Sequence, residues 1–342
     1  MKGSRSVPLG MMRHLLQARR VLLTGPLDPD GDSICACLAL QRICRQKGHS
    51  AVDVAGSLVQ RYEWLPGAAQ IVHNSRLEGD YDAVVILDGD SSRLPAEAKL
   101  AFENASFKGI IDHHASTTAN GYSLAWLDPS AASTCEMLYS AMVAWRHGLD
   151  RTLALLFYVG CIFDTGGFRY SNTTESTHKM AAALQAMNID AAGACARILM
   201  ERSPASLRIA GHVYANAVFH LDGRLVVGQV SEALAAKLDL AAGDLEGIVD
   251  NLVFTTGVEV AALLIQMGRD KVKISLRGRG RFDVAAVARQ LAPTGGGHAN
   301  AAGALISGTL REVDALVIGT FMALDARKTL VAPLLNRRVG HR

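Results

Sequence analysis

Four short segments of this chain place aspartates where they could act together: Asp28-Pro29-Asp30-Gly31-Asp32, Asp88-Gly89-Asp90, Asp112-His113-His114 and Asp164-Thr165-Gly166-Gly167. Any one of them alone reads as a surface turn, the usual place for Asp and Gly. Four together read as one site, and carboxylates packed in one site repel unless a cation neutralises them. Aspartates with one or two histidines and no thiolate suit Mn2+ or Mg2+ better than structural Zn2+. A carboxylate shared between two such ions gives the arrangement that drives phosphoester hydrolysis. Asp32 or Ser33 could instead be only the N-cap of a following helix. An EF-hand is excluded, because Ser33 stands where its loop needs Gly, Ala39 where it needs Glu, and Pro29 falls inside it.

A second kind of chemistry sits late in the chain. Between Arg269 and Arg281 there are six basic side chains and one acid, Asp270. A solvated strand face is the plain reading of such a run. Next comes Gly295-Gly296-Gly297-His298-Ala299-Asn300-Ala301-Ala302-Gly303. Three glycines ahead of a small-residue helix would offer backbone N–H groups to an anion. With Arg277 close by in sequence, a phosphate or nucleotide clamp is the functional reading. The G-x-G-x-x-G spacing of a dinucleotide fold is absent.

The elements that must hold these groups follow from the apolar pattern. Val21–Thr24, Ala51–Val54, Ala83–Leu87 and Gly109–Ile111 read as strands, and Ile34–Lys47 as a helix ended by Gly48. Three of the four acidic segments then fall just after strands, where open α/β sheets bind ligands. Alternation of this kind argues a parallel sheet with helices on both faces, an α/β fold. Residues 134–190 are mostly helical, with a polar interruption from Asp164 to Thr174. Beyond Arg202-Ser203-Pro204 the texture changes: Arg224–Val230 is a strand, and Val258–Gln266 with Lys271–Leu276 a hairpin. The expected organisation is a metal-binding domain over residues 1–200, a smaller α/β domain over 201–330 and a tail over 331–342.

Composition bounds the partners. The chain has 342 residues, 49% hydrophobic and 20% charged, with a net charge of +3. That sum excludes a polybasic binder of long nucleic acid. Its distribution is uneven: residues 21–200 hold 13 basic against 19 acidic side chains, and residues 201–342 hold 17 against 13. No apolar run reaches the roughly 20 residues of a membrane span, and the basic N-terminal segment lacks the apolar stretch of a secretory signal. The six cysteines form no C-x-x-C pair, which suits free buried thiols in a reducing compartment. A soluble, cytoplasmic protein is expected.

Taken together, these motifs resemble the DHH phosphoesterase family over residues 15–330. Asp112-His113-His114 is similar to its name motif, Asp30-Gly31-Asp32-Ser33 to its first and Asp88 to its second. Asp164-Thr-Gly-Gly-Phe-Arg-Tyr-Ser-Asn-Thr-Thr174 is similar to its fourth. Ser275-Leu276-Arg277 and Gly295–Gly303 resemble the DHH-associated C-terminal domain. The two-domain length is that of the NrnA-like nanoRNase and pAp-phosphatase group.

The resemblance implies a site in the cleft between the two domains. It implies two divalent metals, Mn2+ foremost with Mg2+ or Co2+ as substitutes, held by Asp30, Asp32, Asp88, His113 and Asp164, with Asp88 bridging. It puts His114 at the substrate phosphate, Asp112 behind the histidines, and Arg277, Gly295, Gly296, Gly297 and His298 on the substrate. The implied substrates are short RNA, linear dinucleotides such as pApA and pGpG, and pAp. A homodimer is compatible with it. In one departure, Pro26 stands where the first motif usually has His, which leaves Asp28 or Asp90 as its stand-in. That departure keeps a binding-only nucleotide sensor open as an alternative; a cyclic-dinucleotide phosphodiesterase is another.

Overall fold

The protein is described by a computed structural model, over residues 6–326 apart from 59, 242 and 294 and the side chains of Ser6, Val143 and His298. The expected tail, 331–342, lies outside the described residues. The chain divides into two compact units, Met1–Glu201 and Arg202–Arg342.

The first unit is built on a five-stranded sheet: β1 Val21–Thr24, β2 Val52–Ala55, β3 Ala83–Leu87, β4 Phe107–Asp112 and β5 Leu124–Leu127. The order is β2-β1-β3-β4-β5, and every pair is parallel. Its helices are α1 Ser6–Gln17, α2 Gly31–Gln46, α3 Ala96–Asn104, α4 Thr134–Trp145, α5 Arg151–Asp164, α6 Glu175–Gln185 and α7 Ala191–Cys195. Because both faces are covered, the central strand β3 reads as an unbroken apolar run. Leu23, Val85 and Ile111 enter the larger core with α1, α2, α4 and α5, while Leu22, Val84 and Ile86 meet Phe102 of α3 on the other face. The apolar run from Leu153 is helix α5, buried in that larger core. Among the described residues no helix is long and apolar enough to cross a membrane. Five cysteines are buried, Cys195 is half-buried, and all six are free.

Local signals set the ends of these helices. Asp30, rather than Asp32 or Ser33, caps α2: its carboxylate accepts from the N–H groups of Asp32 and Ser33. Gly48, with φ +92°, takes the left-handed turn that ends α2. Asp150 caps α5, and Thr174 forms a capping box with Thr177 at α6.

The second unit carries a mixed six-stranded sheet, ordered β10-β11-β9-β8-β7-β6. Its strands are β6 Val218–His220, β7 Leu225–Val230, β8 Val260–Gln266, β9 Lys271–Gly278, β10 Gly296–His298 and β11 Ala301–Ser307. Only β7 and β8 pair parallel. Its helices are α8 Pro204–Ala215, α9 Glu232–Lys237, α10 Ile248–Val253, α11 Val284–Leu291 and α12 Leu310–Ala326. Helices α11 and α12 cover one face of the sheet; α8 and α10 cover the other face at β7 and β8.

Here one expectation is corrected. The glycine segment does not precede a helix. Gly296–His298 and Ala301–Ser307 form an antiparallel hairpin beside β9, with α11 ending before it at Leu291 and α12 starting after it at Leu310.

Helices α2 and α5 cross at glycines. A Cβ on Gly160 would lie 2.4 Å from Cys135 Sγ and 2.5 Å from Asp32 Oδ1. Gly160→Ala should therefore destabilise the unit by about 1–3 kcal/mol through overpacking, read as a lower urea midpoint at unchanged slope.

Candidate metal centre

Strand β2 lies on one side of β1 and β3 on the other, so the chain reverses direction across the sheet between β1 and β3. Ligands collect at that switch point, outside the carboxyl ends of the strands. Asp30 and Asp32 follow β1, and Asp88 follows β3. Asp112 closes β4, with His113 and His114 next in the chain. Asp164, the last residue of α5, arrives from a helix instead of a strand.

These residues converge. Ligand atoms of Asp32, Asp88, His113 and Asp164 lie within 4.8 Å of one another, and Asp88, His113 and His114 form an overlapping group. His113 Nε2 stands 3.0 Å from Asp164 Oδ2 and 3.4 Å from Asp88 Oδ1. Asp32 is fully buried and is held by the N-terminus of α4, whose Thr134 and Cys135 N–H groups donate to it at 2.6 and 3.0 Å. Thr134 Oγ1 also donates to Asp88, at 3.3 Å. Asp88 itself sits at φ +62°, a left-handed backbone that is costly for a residue with a side chain and that clusters at functional sites. Asp112 is fully buried; its Oδ1 lies 2.7 Å from His114 Nδ1, and it also accepts from Thr117 Oγ1. It therefore orients a histidine and joins neither donor group.

The charges are crowded. Burial, then the charge of Asp88, pushes Asp30 up to about 7. Burial likewise raises Asp32, and burial with the charge of Asp32 raises Asp164 well above the carboxylate range. For His113 burial works downward, but its contacts with Asp164 and Asp88 outweigh it and carry the ring to about 12. His114 is raised by its contact with Asp112, and Asp112 is held low by His114 against its burial. Oδ2 of Asp164 is buried and faces His113 Nε2. Three carboxylates and one imidazole gathered this closely fit a hard divalent cation.

Two positions of the first motif stand apart from both groups. Asp30 spends one oxygen capping α2 and stands beside Asp88. Pro26 is buried, and a Cβ on Gly89 would lie 3.5 Å from its ring, so that position offers packing and no donor. Neither proposed stand-in joins a donor group: Asp28 is exposed, and Asp90 accepts from Ser92 N–H at 2.8 Å as the cap of a short turn.

In the second unit, Arg277 is half-buried and donates to Asp250 of α10 at 2.6 Å. The glycines have structural work of their own. Gly295 N–H donates to Ala292, and a Cβ there would lie 1.9 Å from the Ala288 carbonyl oxygen; at Gly297, with φ +129°, it would lie 2.4 Å from that of Ala301. Gly296 faces open space. The His298 side chain is outside the described set.

Several supporting residues escape notice in the sequence. Glu136, 5% exposed, accepts from Ala132 N–H, Ser176 Oγ and Thr177 Oγ1, so it ties the start of α4 to the start of α6. Its signal was available: Ser133-x-x-Glu136 before an apolar run is a capping-box pattern, and Ser133 Oγ does accept from Glu136 N–H. Asn172, inside the Asp164–Thr174 segment, donates to the carbonyls of Ala132 and Asp164.

The pH dependence has one sign. Asp30, Asp32, Asp164, His113 and His114 all have raised folded values, so each adds stability at low pH that is lost as pH rises through its folded value. In EDTA the thermal midpoint should fall between about pH 5 and 8. Mn2+ binds the deprotonated carboxylates and should reverse that trend, and Asp30→Asn should flatten the EDTA slope.

Known proteins match this arrangement. The DHH family N-terminal domain matches residues 20–161, and the DHHA1 domain matches residues 222–319. The chain is 29% identical over 282 residues, 82% of each protein, to a Thermus thermophilus protein named bifunctional oligoribonuclease and PAP phosphatase NrnA. Its fold is that of an exopolyphosphatase-related protein from Bacteroides fragilis, with a TM-score of 0.85, 23% identity and coverage of 95% of this chain and 97% of that one. RecJ from Thermus thermophilus, crystallised with Mn2+, matches with a TM-score of 0.57 and 15% identity over 96% of this chain and 55% of its own. With aspartates gathered at the switch point and both domain types in order, the chain belongs to the DHH family and carries a DHHA1 domain behind its DHH domain.

Proposed function

We propose that this protein is a metal-dependent phosphoesterase that hydrolyses short oligoribonucleotides and linear dinucleotides such as pApA and pGpG to mononucleotides, and pAp to AMP. The observation that carries the reading is the four-donor cluster of Asp32, Asp88, His113 and Asp164. The relative named oligoribonuclease and PAP phosphatase supports the substrate class. Two divalent ions, Mn2+ foremost, would be held by these side chains together with Asp30. When bound, such ions supply an activated water and charge stabilisation at the phosphoryl oxygens.

The chain's own residues do the rest. Asp32, pinned by α4, and Asp88, pinned by Thr134, keep their carboxylates in place. Asp112 orients His114 and favours its protonated form, the state that grips a phosphate and can give a proton to the leaving oxygen. Water adds to phosphorus as the ester P–O bond breaks; the leaving oxygen takes a proton from His114, and the proton shed by the attacking water restores the balance. Arg277, steadied by Asp250, and the open backbone at Gly296 hold the rest of the substrate, with Gly295, Gly297 and His298 around it. The working place is the cytoplasm, where short RNA and pAp arise.

A metal-dependent panel of pAp, pApA, pGpG, an RNA pentamer and cyclic di-AMP tests this. With Mn2+, mononucleotides should appear from the linear substrates, and Asp88→Ala should lower the rate by at least about a hundredfold. Arg277→Ala should act mainly on KM. Intact pAp, pApA and pGpG after incubation with excess Mn2+ would sink the reading, and binding without turnover would mark a sensor.

A further inference from the structure

One face of the second unit's sheet is only partly covered. On the side where α8 and α10 pack, they bury Ala261, Leu263 and Ile265 of β8, while β9 and β11 continue past them. On β9, Val272, Ile274 and Leu276 point into the opposite core, so Lys271, Lys273, Ser275 and Arg277 line the partly covered face. The lysines are exposed; Ser275 and Arg277 are half-buried. Beside them on β11 lie Ser307, Leu305, Gly303 and Ala301, in register.

This is not the usual place for such lysines. Exposed strand lysines commonly guard a sheet edge against pairing with another chain. Strand β9 is no edge: it is hydrogen-bonded to β11 on one side and β8 on the other. Among the described residues neither Lys271 nor Lys273 has an ion-pair partner, whereas Arg277 has Asp250. Alternate residues of a strand stand about 7 Å apart, so the row runs about 20 Å, with Lys271 and Lys273 one repeat apart and neutral Ser275 between Lys273 and Arg277. That repeat is close to the phosphate spacing of an extended single strand, and basic tracks with apolar surface beside them hold such strands without sequence preference. Leu305, 43% exposed and paired with Lys273, supplies apolar surface for a base. Ala301 and Gly303 keep the floor low beside Arg277 and Ser275.

We propose that the open face of β9 is a backbone lane for the nucleotides of an oligoribonucleotide beyond the one held at Arg277, with Lys273 and Lys271 gripping successive phosphates. The inference rests on the reading of Arg277 as a substrate residue. It assigns the lysines a length-dependent role: they contribute to a tetramer or pentamer and nothing to pAp or a dimer.

The test is the double variant Lys271→Thr/Lys273→Thr in the full chain. Binding of a fluorescein-labelled RNA pentamer is read by anisotropy across a salt series, and KM is measured in Mn2+ for pentamer and pApA. The pentamer Kd should rise about tenfold, with a log Kd against log salt slope shallower by about 1.4, or about 0.7 per lost phosphate contact. KM and kcat for pApA should stay as in the parent protein. Arg289→Thr/Arg311→Thr, matched in net charge but on the helices of the opposite face, should leave pentamer binding alone. The lane is overturned if pentamer binding is unchanged in the lysine variant, if pApA weakens as much as the pentamer, if the control weakens the pentamer equally, or if pentaglutamate displaces the RNA. Anisotropy reads the lane without turnover, so failure to hydrolyse would count against the enzyme reading and not against the lane.

Discussion

The structure depends on one unfavourable interaction that it is built to bear: three aspartates, Asp32 and Asp88 buried and Asp164 partly so, whose oxygens lie within a few ångströms of each other. What opposes the repulsion is backbone. The N-terminus of α4 donates two N–H groups to Asp32, and the N-terminus of α2 donates two to Asp30. Both helix ends also carry partial positive charge toward the cluster. Protonated His113 lies against Asp88 and Asp164. To ligate a dication the ring gives up that proton, and the ion's charge would take its place.

This explains why helix contacts, and not loops alone, set the site. Asp32 is on the first turn of α2 and Asp164 on the last residue of α5, and the two helices meet closely at Gly160 and Gly31. Any side chain at either crossing would separate the two carboxylates. Glu136 and Asn172 close the arrangement from behind by tying α4, α6 and the end of α5 together.

The legible parts and the hidden parts divide along physical lines. Strands β1, β3 and β4 were readable because they are buried apolar runs, and β3 and β4 lead straight into acids at Asp88 and Asp112. The half-exposed Leu124–Leu127 and the three-residue Val218–His220 lack such contrast and are found only through their pairing partners. The glycine segment suggested a helix because its small residues carry no β-branched side chain. It is a hairpin because β9 offers a paired edge and α11 presses on Gly295. The donor aspartates could be picked from their spacing, whereas Asp250 meets Arg277 27 positions away, and Glu136, beyond its local capping pattern, meets Ser176 40 positions away. Pro26 was visible as a departure; that its ring packs against the Asp88–Gly89 turn was not.

The donor set also has an order in time. Every clustered donor, from Asp32 to Asp164, lies within the first unit, which ends at Glu201. A ribosome making this chain finishes the last of them before it starts the second unit. An ion can thus enter and stabilise the first unit while the basic sheet is still unmade. An ion held by these carboxylates would need no residue of the second unit, and its binding energy would count toward the stability of the first unit alone.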